Sequence, residues 1–349
     1  MIWLTWRQHR GQFLFVFGLL AIIAAIVLPT GVSMHSAFVD MGLADCTAAL
    51  TPSVLSGSGP VDPADIRCAV LADEFLFRHG ERALIVAGLL ALVPLAFGVV
   101  IGTQLVADDA DHGTHRLVWT QSVTRNRWYA AKLGIAGAVT ALFAFAYGGL
   151  GYWYTMPIIK SGGSRIVLSD VLGATPVGYA LFALALGAFT GAMWRKVPPA
   201  IAATLFGFVA VRLAMRSVRP AFLAPLERKL AVQWDPAQIE IGRPYWLRLN
   251  GDWEVGAAEY NADGRVLSDT GMRFCASPSP SPGGDPAVPT GPGVDFRCGN
   301  ADFPAVDYNV MLYHPDSRFW IFQLVEVAIF LGLTVLLVIV TARRVSRLT

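Results

Sequence analysis

The chain is 349 residues long, 54% hydrophobic and only 15% charged, with a mean hydropathy of +0.52. Soluble domains carry about a quarter charged residues, so this composition excludes an ordinary soluble fold and indicates a membrane protein. The formal net charge of +2 says little about partners, but the placement of the basic residues says more, and nothing in it indicates nucleic acid.

Residues 1–12, MIWLTWRQHRGQ, mix Trp3, Leu4 and Trp6 with Arg7, His9 and Arg10, a pattern suited to a short helix lying in the membrane interface. An uncharged apolar run from Phe13 to about Gly31 is long enough to cross a bilayer core. It exceeds the apolar region of a cleaved signal peptide and lacks its small-residue cleavage site. Residues 32–82 are polar and punctuated by Pro, Gly and Ser, which predicts an outer loop. A second span is predicted over about Ala83–Val106, with Gly98 and Gly102 four apart. A polar loop, residues 105–131, separates it from a third span over about Ala131–Met156, which closes on Tyr152, Trp153 and Tyr154 as interfacial aromatics do.

The short loop IKSGGSRIVLSD leads to a fourth span, about Val171–Met193, with Gly187 and Gly191 again four apart. Such pairs allow close helix approach and are read here as packing. After Trp194-Arg195-Lys196 and Pro198-Pro199, a fifth span runs over about Ala200–Val218. Residues 219–317 follow as the sizeable polar region. Its aromatic and β-branched residues around Asn-Gly and Asp-Gly steps predict a small β-rich unit, and 277–293 reads as a Pro/Gly linker. A sixth span, about Phe319–Val340, ends at Arg343, Arg344 and Arg347. The expected fold is therefore an all-α polytopic membrane protein. It has six transmembrane helices, an N-terminal interfacial helix and a small β-rich extracytoplasmic insertion between helices five and six. Its divisions are a membrane domain over 1–218, an extracytoplasmic domain over 219–317, and a last helix with a basic tail over 318–349.

Orientation follows from the basic residues. With the N-terminus inside, the cytoplasmic pieces hold Arg7, Arg10, Arg116, Arg125, Arg127, Lys132, Arg195, Lys196, Arg343, Arg344 and Arg347. The two short outer loops hold Arg67, Arg78, Arg82, Lys160 and Arg165 over more residues. The positive-inside rule places both termini in the cytoplasm. The same choice puts Cys46, Cys68, Cys275 and Cys298 outside, where disulfides persist. Four cysteines allow three pairings, of which Cys46–Cys68 with Cys275–Cys298 is the simplest. Free thiols are the alternative. The six histidines show no metal-ligand spacing, and no catalytic motif occurs.

The loop reads QLVADDADHGTHRLVWTQSVTRNRWYAAK over Gln104–Lys132: acids first, then Gly113-Thr114, then Thr124-Arg125 and Lys132. In this order, and with six spans, the chain resembles the permease of a type-2 ATP-binding cassette (ABC) exporter. The wording HGTHRLVWTQSVTRNRW, with TWRQHR at Thr5–Arg10 and YHPDSRFWIFQLVE at Tyr313–Glu326, is similar to an actinobacterial subgroup. In one respect it departs from the family pattern, because Asp108-Asp109 stands where Arg-Glu is usual. The resemblance implies transport rather than catalysis by this chain, in the cytoplasmic membrane of a bacterium. It also implies a second permease copy and a cytoplasmic ATPase that binds the ATP and Mg. No phosphate loop of the form GxxxxGK[ST] occurs in the sequence. On this reading Asp109, Gly113, Thr114, Arg116, Thr124 and Arg125 form a coupling helix that docks on the ATPase. The bland alternative is a loop whose basic residues only orient the protein.

Arg212 and Glu326 are ionisable residues inside predicted spans, with Gln323 three residues before Glu326 on the same face. Charge in hydrocarbon is costly and faces protein or water. Both residues sit ~10 Å from the outer end of their spans at a 1.5 Å rise per residue, deep enough to pair. They are candidates for a structural ion pair or for the lining of a translocation path. Export of a hydrophobic or amphipathic compound is the leading expectation. A membrane module that senses an antibiotic or envelope stress and signals to a cytoplasmic partner is the alternative.

Overall fold

In a computed structural model, residues 2–48, 63–105, 107, 125–231, 251–260, 263–268 and 308–346 are described. Six helices among them are long and apolar enough to cross a membrane: Gly18–Asp40, Arg67–Leu105, Arg127–Lys160, Thr175–Trp194, Val197–Ala221 and Asp316–Ser346. A small antiparallel sheet lies between the fifth and sixth. The helices are numbered α1 (Ile2–Asp40), α2 (Leu43–Ala48), α3 (Pro63–Leu90), α4 (Val93–Ala96), α5 (Arg125–Lys160), α6 (Thr175–Trp194), α7 (Val197–Val218) and α8 (Phe319–Ser346).

Two of these elements correct the sequence expectation. Residues 32–82 do not form a loop throughout: α1 runs on to Asp40, α2 follows, and α3 begins at Pro63. Beyond it, Ala69, Ala72 and Phe75 are fully buried at the 3–4 residue spacing of a helix face. Hydropathy alone ended the second span at the charges of 78–82, and helix periodicity does not end there. The N-terminal residues 2–12 likewise belong to α1, which continues without a break into the first span. A helix of 39 residues is roughly 58 Å long, well beyond a hydrocarbon core of about 30 Å.

Pro29, Pro94 and Pro157 fall inside the described spans, and at the last two the carbonyl left without its helical N–H is bonded from a neighbouring helix. Pro94 has no N–H for the carbonyl four residues back, and α3 gives way there to a turn at residues 91–92. The Tyr147 hydroxyl of α5 donates to that Leu90 oxygen at 2.6 Å. Pro157 inside α5 frees the Trp153 oxygen in the same way, and His35 Nε2 of α1 lies 2.9 Å from it, its ring stacked on Trp153 at 4.9 Å. Since a carbonyl only accepts, the His35 Nε2 carries the proton. An unpaired carbonyl at membrane depth costs several kcal/mol on the order of a lost hydrogen bond or more, so these two contacts make the breaks tolerable.

After α4 the second span continues as a π-helical turn, Phe97–Gly102, which crosses α6. The glycines named from the sequence meet there. A Cβ placed on Gly187 would strike the Gly98 carbonyl oxygen and fall 2.9 Å from the Gly102 Cα. One on Gly102 would fall 2.6 Å from the Leu184 oxygen, and one on Gly191 2.5 Å from the Thr103 oxygen. Backbones therefore touch directly, as small-residue pairs permit.

The sheet has the order β1-β4-β2-β3, with β1 Leu226–Ala231, β2 Trp253–Tyr260, β3 Val266–Ser268 and β4 Tyr308–His314. β4 pairs with both β1 (Leu226 opposite Tyr313) and β2 (Trp253 opposite His314). Gly264, in the β2–β3 connection, has φ +75°, the left-handed conformation that makes glycine the natural residue after Asp263. The sheet is fastened to the root of α8. Trp253, His314 and Phe322 form an aromatic cluster, with ring centroids 4.9–5.8 Å apart. Arg165 grips Asp316 through two parallel hydrogen bonds, the Nε one at 2.7 Å. Arg318 donates to the Ala224 oxygen at 2.7 Å and to His314 Nδ1 at 3.2 Å, while His314 Nε2 donates to the Pro220 oxygen at 3.1 Å. Burial holds the His314 imidazole below its usual pKa, consistent with a neutral ring serving as donor on one side and acceptor on the other.

Cys46 and Cys68 form a disulfide joining α2 to α3. Cys275 and Cys298 lie outside the described residues.

Candidate functional site: a charged cluster at the sheet end of the bundle

Five side chains from four elements converge where α6, α7 and α8 meet beneath the sheet. Arg212 lies on α7, and Arg219, seven residues on, follows as its cap residue. Seven residues are close to two turns, so the two guanidinium groups lie on one face. Glu326 comes from α8, Tyr179 from α6 and Asp170 from the 3₁₀ turn Ser169–Val171.

Arg219 is the hub. One of its terminal nitrogens donates to Glu326 Oε1 at 2.8 Å, contacts the Tyr179 hydroxyl at 3.3 Å, and is ion-paired with Asp170 Oδ1. The Tyr179 hydroxyl donates to Glu326 Oε1. Arg212 bonds Asp170 Oδ2 at 3.0 Å and approaches Glu326 Oε1 only to 4.0 Å. Its guanidinium carbon lies over the Tyr179 ring, 3.7 Å from the centroid. Two cations and two anions balance, which is the condition for burying such charge at all. Burial pushes the Asp170 carboxyl up, but the positive charges of Arg212 and Arg219 beside it outweigh that and hold it below the ordinary range. Glu326 is 0% and Arg219 6% exposed, against 13% for Arg212 and 22% for Asp170. Glu326 Oε2, Arg219 Nε and Ser169 Oγ are buried without a protein partner.

Gln323 sits one turn before Glu326 and does something different. Its Oε1 accepts from the backbone N–H of Ala174 at 3.1 Å and of Thr175 at 3.2 Å, and its Nε2 donates to the Ser169 oxygen at 3.4 Å. Helix starts leave N–H groups unsatisfied, and no residue of the α6 N-cap position supplies a side-chain bond. Gln323 caps α6 from another helix. Gly173, at φ +64°, is required there, because a Cβ would fall 2.7 Å from the Gln323 Oε1.

Of the residues singled out from the sequence, the structure brings together Arg212, Gln323 and Glu326. Asp109, Gly113, Thr114, Arg116 and Thr124 lie outside the described residues, and Arg125 is the first residue of α5. Asp170, Tyr179 and Arg219 were missed. Asp170 stands one position before the predicted fourth span and Arg219 one position after the predicted fifth, so a search for charge inside spans passed both. The seven-residue spacing of Arg212 and Arg219 was the available signal. Arg216 also falls in the predicted fifth span, and it is exposed.

No curated protein and no solved structure matches the chain. A family model described as ABC-2 membrane transporter related matches residues 17–219, more than half of the chain. That stretch runs from the first span through the fifth to Arg219, and with the six apolar helices it marks a multi-pass membrane transporter: the chain belongs to the ABC-2 membrane transporter related family.

Proposed function

We propose that this chain is the membrane-spanning subunit of an ABC exporter and that a separate cytoplasmic ATPase drives it. It moves a hydrophobic or amphipathic compound outward through the cytoplasmic membrane of a bacterium. The observation that carries the reading is the family match, which takes in the polar loop 105–131 along with the first five spans. In this reading both termini and that loop face the cytoplasm, and the sheet and the Cys46–Cys68 bond face outward. Two permease subunits, the second being either this chain again or a relative of it, work with two ATPase subunits, which hold ATP and Mg. Asp109, Gly113, Thr114, Arg116, Thr124 and Arg125 form the docking helix, whose mixed charge suits a partner surface that closes and opens.

The test is a mild-detergent affinity purification of tagged chain, wild type beside the double change Asp109→Lys with Arg125→Glu. A soluble ATPase recovered with wild type and lost with the variant, at unchanged membrane insertion, is the expected result. Absence of any ATPase in every detergent tried would sink the exporter reading. Signalling is the second reading, favoured by the sheet's close seat on α8, which gives an outer event a path to the sixth span. ATP turnover that ignores the transported compound would support it over export.

A further inference from the structure

The charged cluster contains one member, Arg212, whose charge it needs but whose hydrogen bonds do not join its two acids. Arg219 alone reaches Glu326, Asp170 and the Tyr179 hydroxyl, so it holds the two acids together without help. Arg212 adds a single bond to Asp170, lies outside hydrogen-bond reach of Glu326, and spends its guanidinium on the face of Tyr179. It is also one of the two members with residual access, the other being its own partner Asp170.

We propose that the Tyr179 ring and the Asp170 carboxylate form a binding site for a lipophilic organic cation, which Arg212 occupies in the absence of ligand. An aromatic face beside a carboxylate, away from water, is the chemistry that recognises such cations. Withdrawing Arg212 leaves Asp170 and Glu326 against Arg219 alone, a net charge of −1 that a cation restores. The Glu326 Oε2 atom, buried and without a protein partner, deepens the attraction of the same place for positive charge. Arg212 has somewhere to go: its side chain keeps 13% exposure, and a long basic stem lets the head swing toward the wet side of the cluster. The deep half of the cluster, with Glu326, Arg219 and the Gln323 cap, stays as it is while the shallow half exchanges partners.

This inference rests on the exporter reading for the purpose of the site, but binding needs no ATPase and is measured on the chain alone. The full chain in phosphatidylcholine nanodiscs is titrated with tetraphenylphosphonium and, in parallel, with tetraphenylborate, its anionic counterpart of like shape. Arg212→Gln is expected to bind the phosphonium about tenfold more tightly than wild type, a difference of about 1.4 kcal/mol. Adding Asp170→Asn or Tyr179→Leu to that variant removes the gain, and adding Tyr179→Phe, which keeps the ring, preserves it. Arg212→Lys, with the charge kept and the planar guanidinium lost, falls between wild type and Arg212→Gln. It carries the test if Arg212→Gln does not fold. Equal phosphonium affinity in wild type and whichever Arg212 variant folds would overturn the proposal, and so would equal binding of the borate. Loss of the ATPase interaction in the pull-down leaves these affinities untouched, so the two readings fail separately.

Discussion

The two ends of α6 are held in opposite ways. At its start, Gln323 caps the backbone from another helix and Tyr179 joins a four-charge cluster with α7 and α8. Toward its end, Gly187 and Gly191 leave only backbone, lying against Gly98, Gly102 and Thr103 of the second span. The first contact is specific, tying named donors to named acceptors, and breaking one leaves another uncompensated. The second is a matter of shape, with no polar side chain to align, and it falls on the π-helical turn beyond the Pro94 break. The fourth, fifth and sixth spans thus form a polar-locked group, and the second span rests on that group through bare backbone.

Four substitutions sharpen this contrast. Glu326→Ala strands Arg219 in a buried place and is expected to destabilise by about 3–5 kcal/mol, read as a fall in detergent melting temperature. Recovery of wild-type stability in that variant would show the cluster to be no lock. Gly187→Val drives a side chain into the second-span backbone, at about 1–3 kcal/mol or more for overpacking. Its mark is lost packing with the charged cluster intact, visible as new protease cleavage in the second span rather than in α7 or α8. Tyr147→Phe removes the hydroxyl from the Leu90 oxygen and leaves that buried carbonyl unpaired, for about 1–3 kcal/mol. Amide exchange in the residues around Pro94 is expected to rise while α6–α8 stays protected. Arg78→Ala removes an exposed pair with Glu74 and should cost about 0–0.5 kcal/mol. A larger loss would mean that α3 is braced by more than its buried face.

The cluster also has a pH signature. The Asp170 carboxyl is held below its usual value by the two arginines, so its contribution is present above the unfolded pKa of about 3.9 and is lost as pH falls through the lower folded value. Melting followed downward from pH 6 should fall more steeply for wild type than for Asp170→Asn.

Much of the layout was legible in the sequence because hydropathy and turn residues act locally. The spans show as apolar runs, and the sheet shows through Trp253, Tyr260 and the Asp263-Gly264 step. Contacts between distant elements were not legible. Gly98, Gly102, Gly187 and Gly191 announced close packing, but no local property says that one pair meets the other. Arg212 and Glu326 stood out because charge is rare in apolar sequence. Asp170 and Arg219 did not, because at a span's edge a charge is ordinary. Tyr179 reads as one more aromatic until Arg212 is placed on its face.

The Cys46–Cys68 bond has a consequence for how the chain is made. Cys46 lies between the first two spans and Cys68 at the outset of the second, so closure needs nothing translated much later. With the orientation proposed above, those residues reach an oxidising compartment as soon as the second span enters the membrane. The first hairpin is then closed covalently before the glycines of α6 arrive to dock on it. The second span meets its partner already cross-linked to the first, and a late rearrangement that swaps their order is barred by a covalent bond.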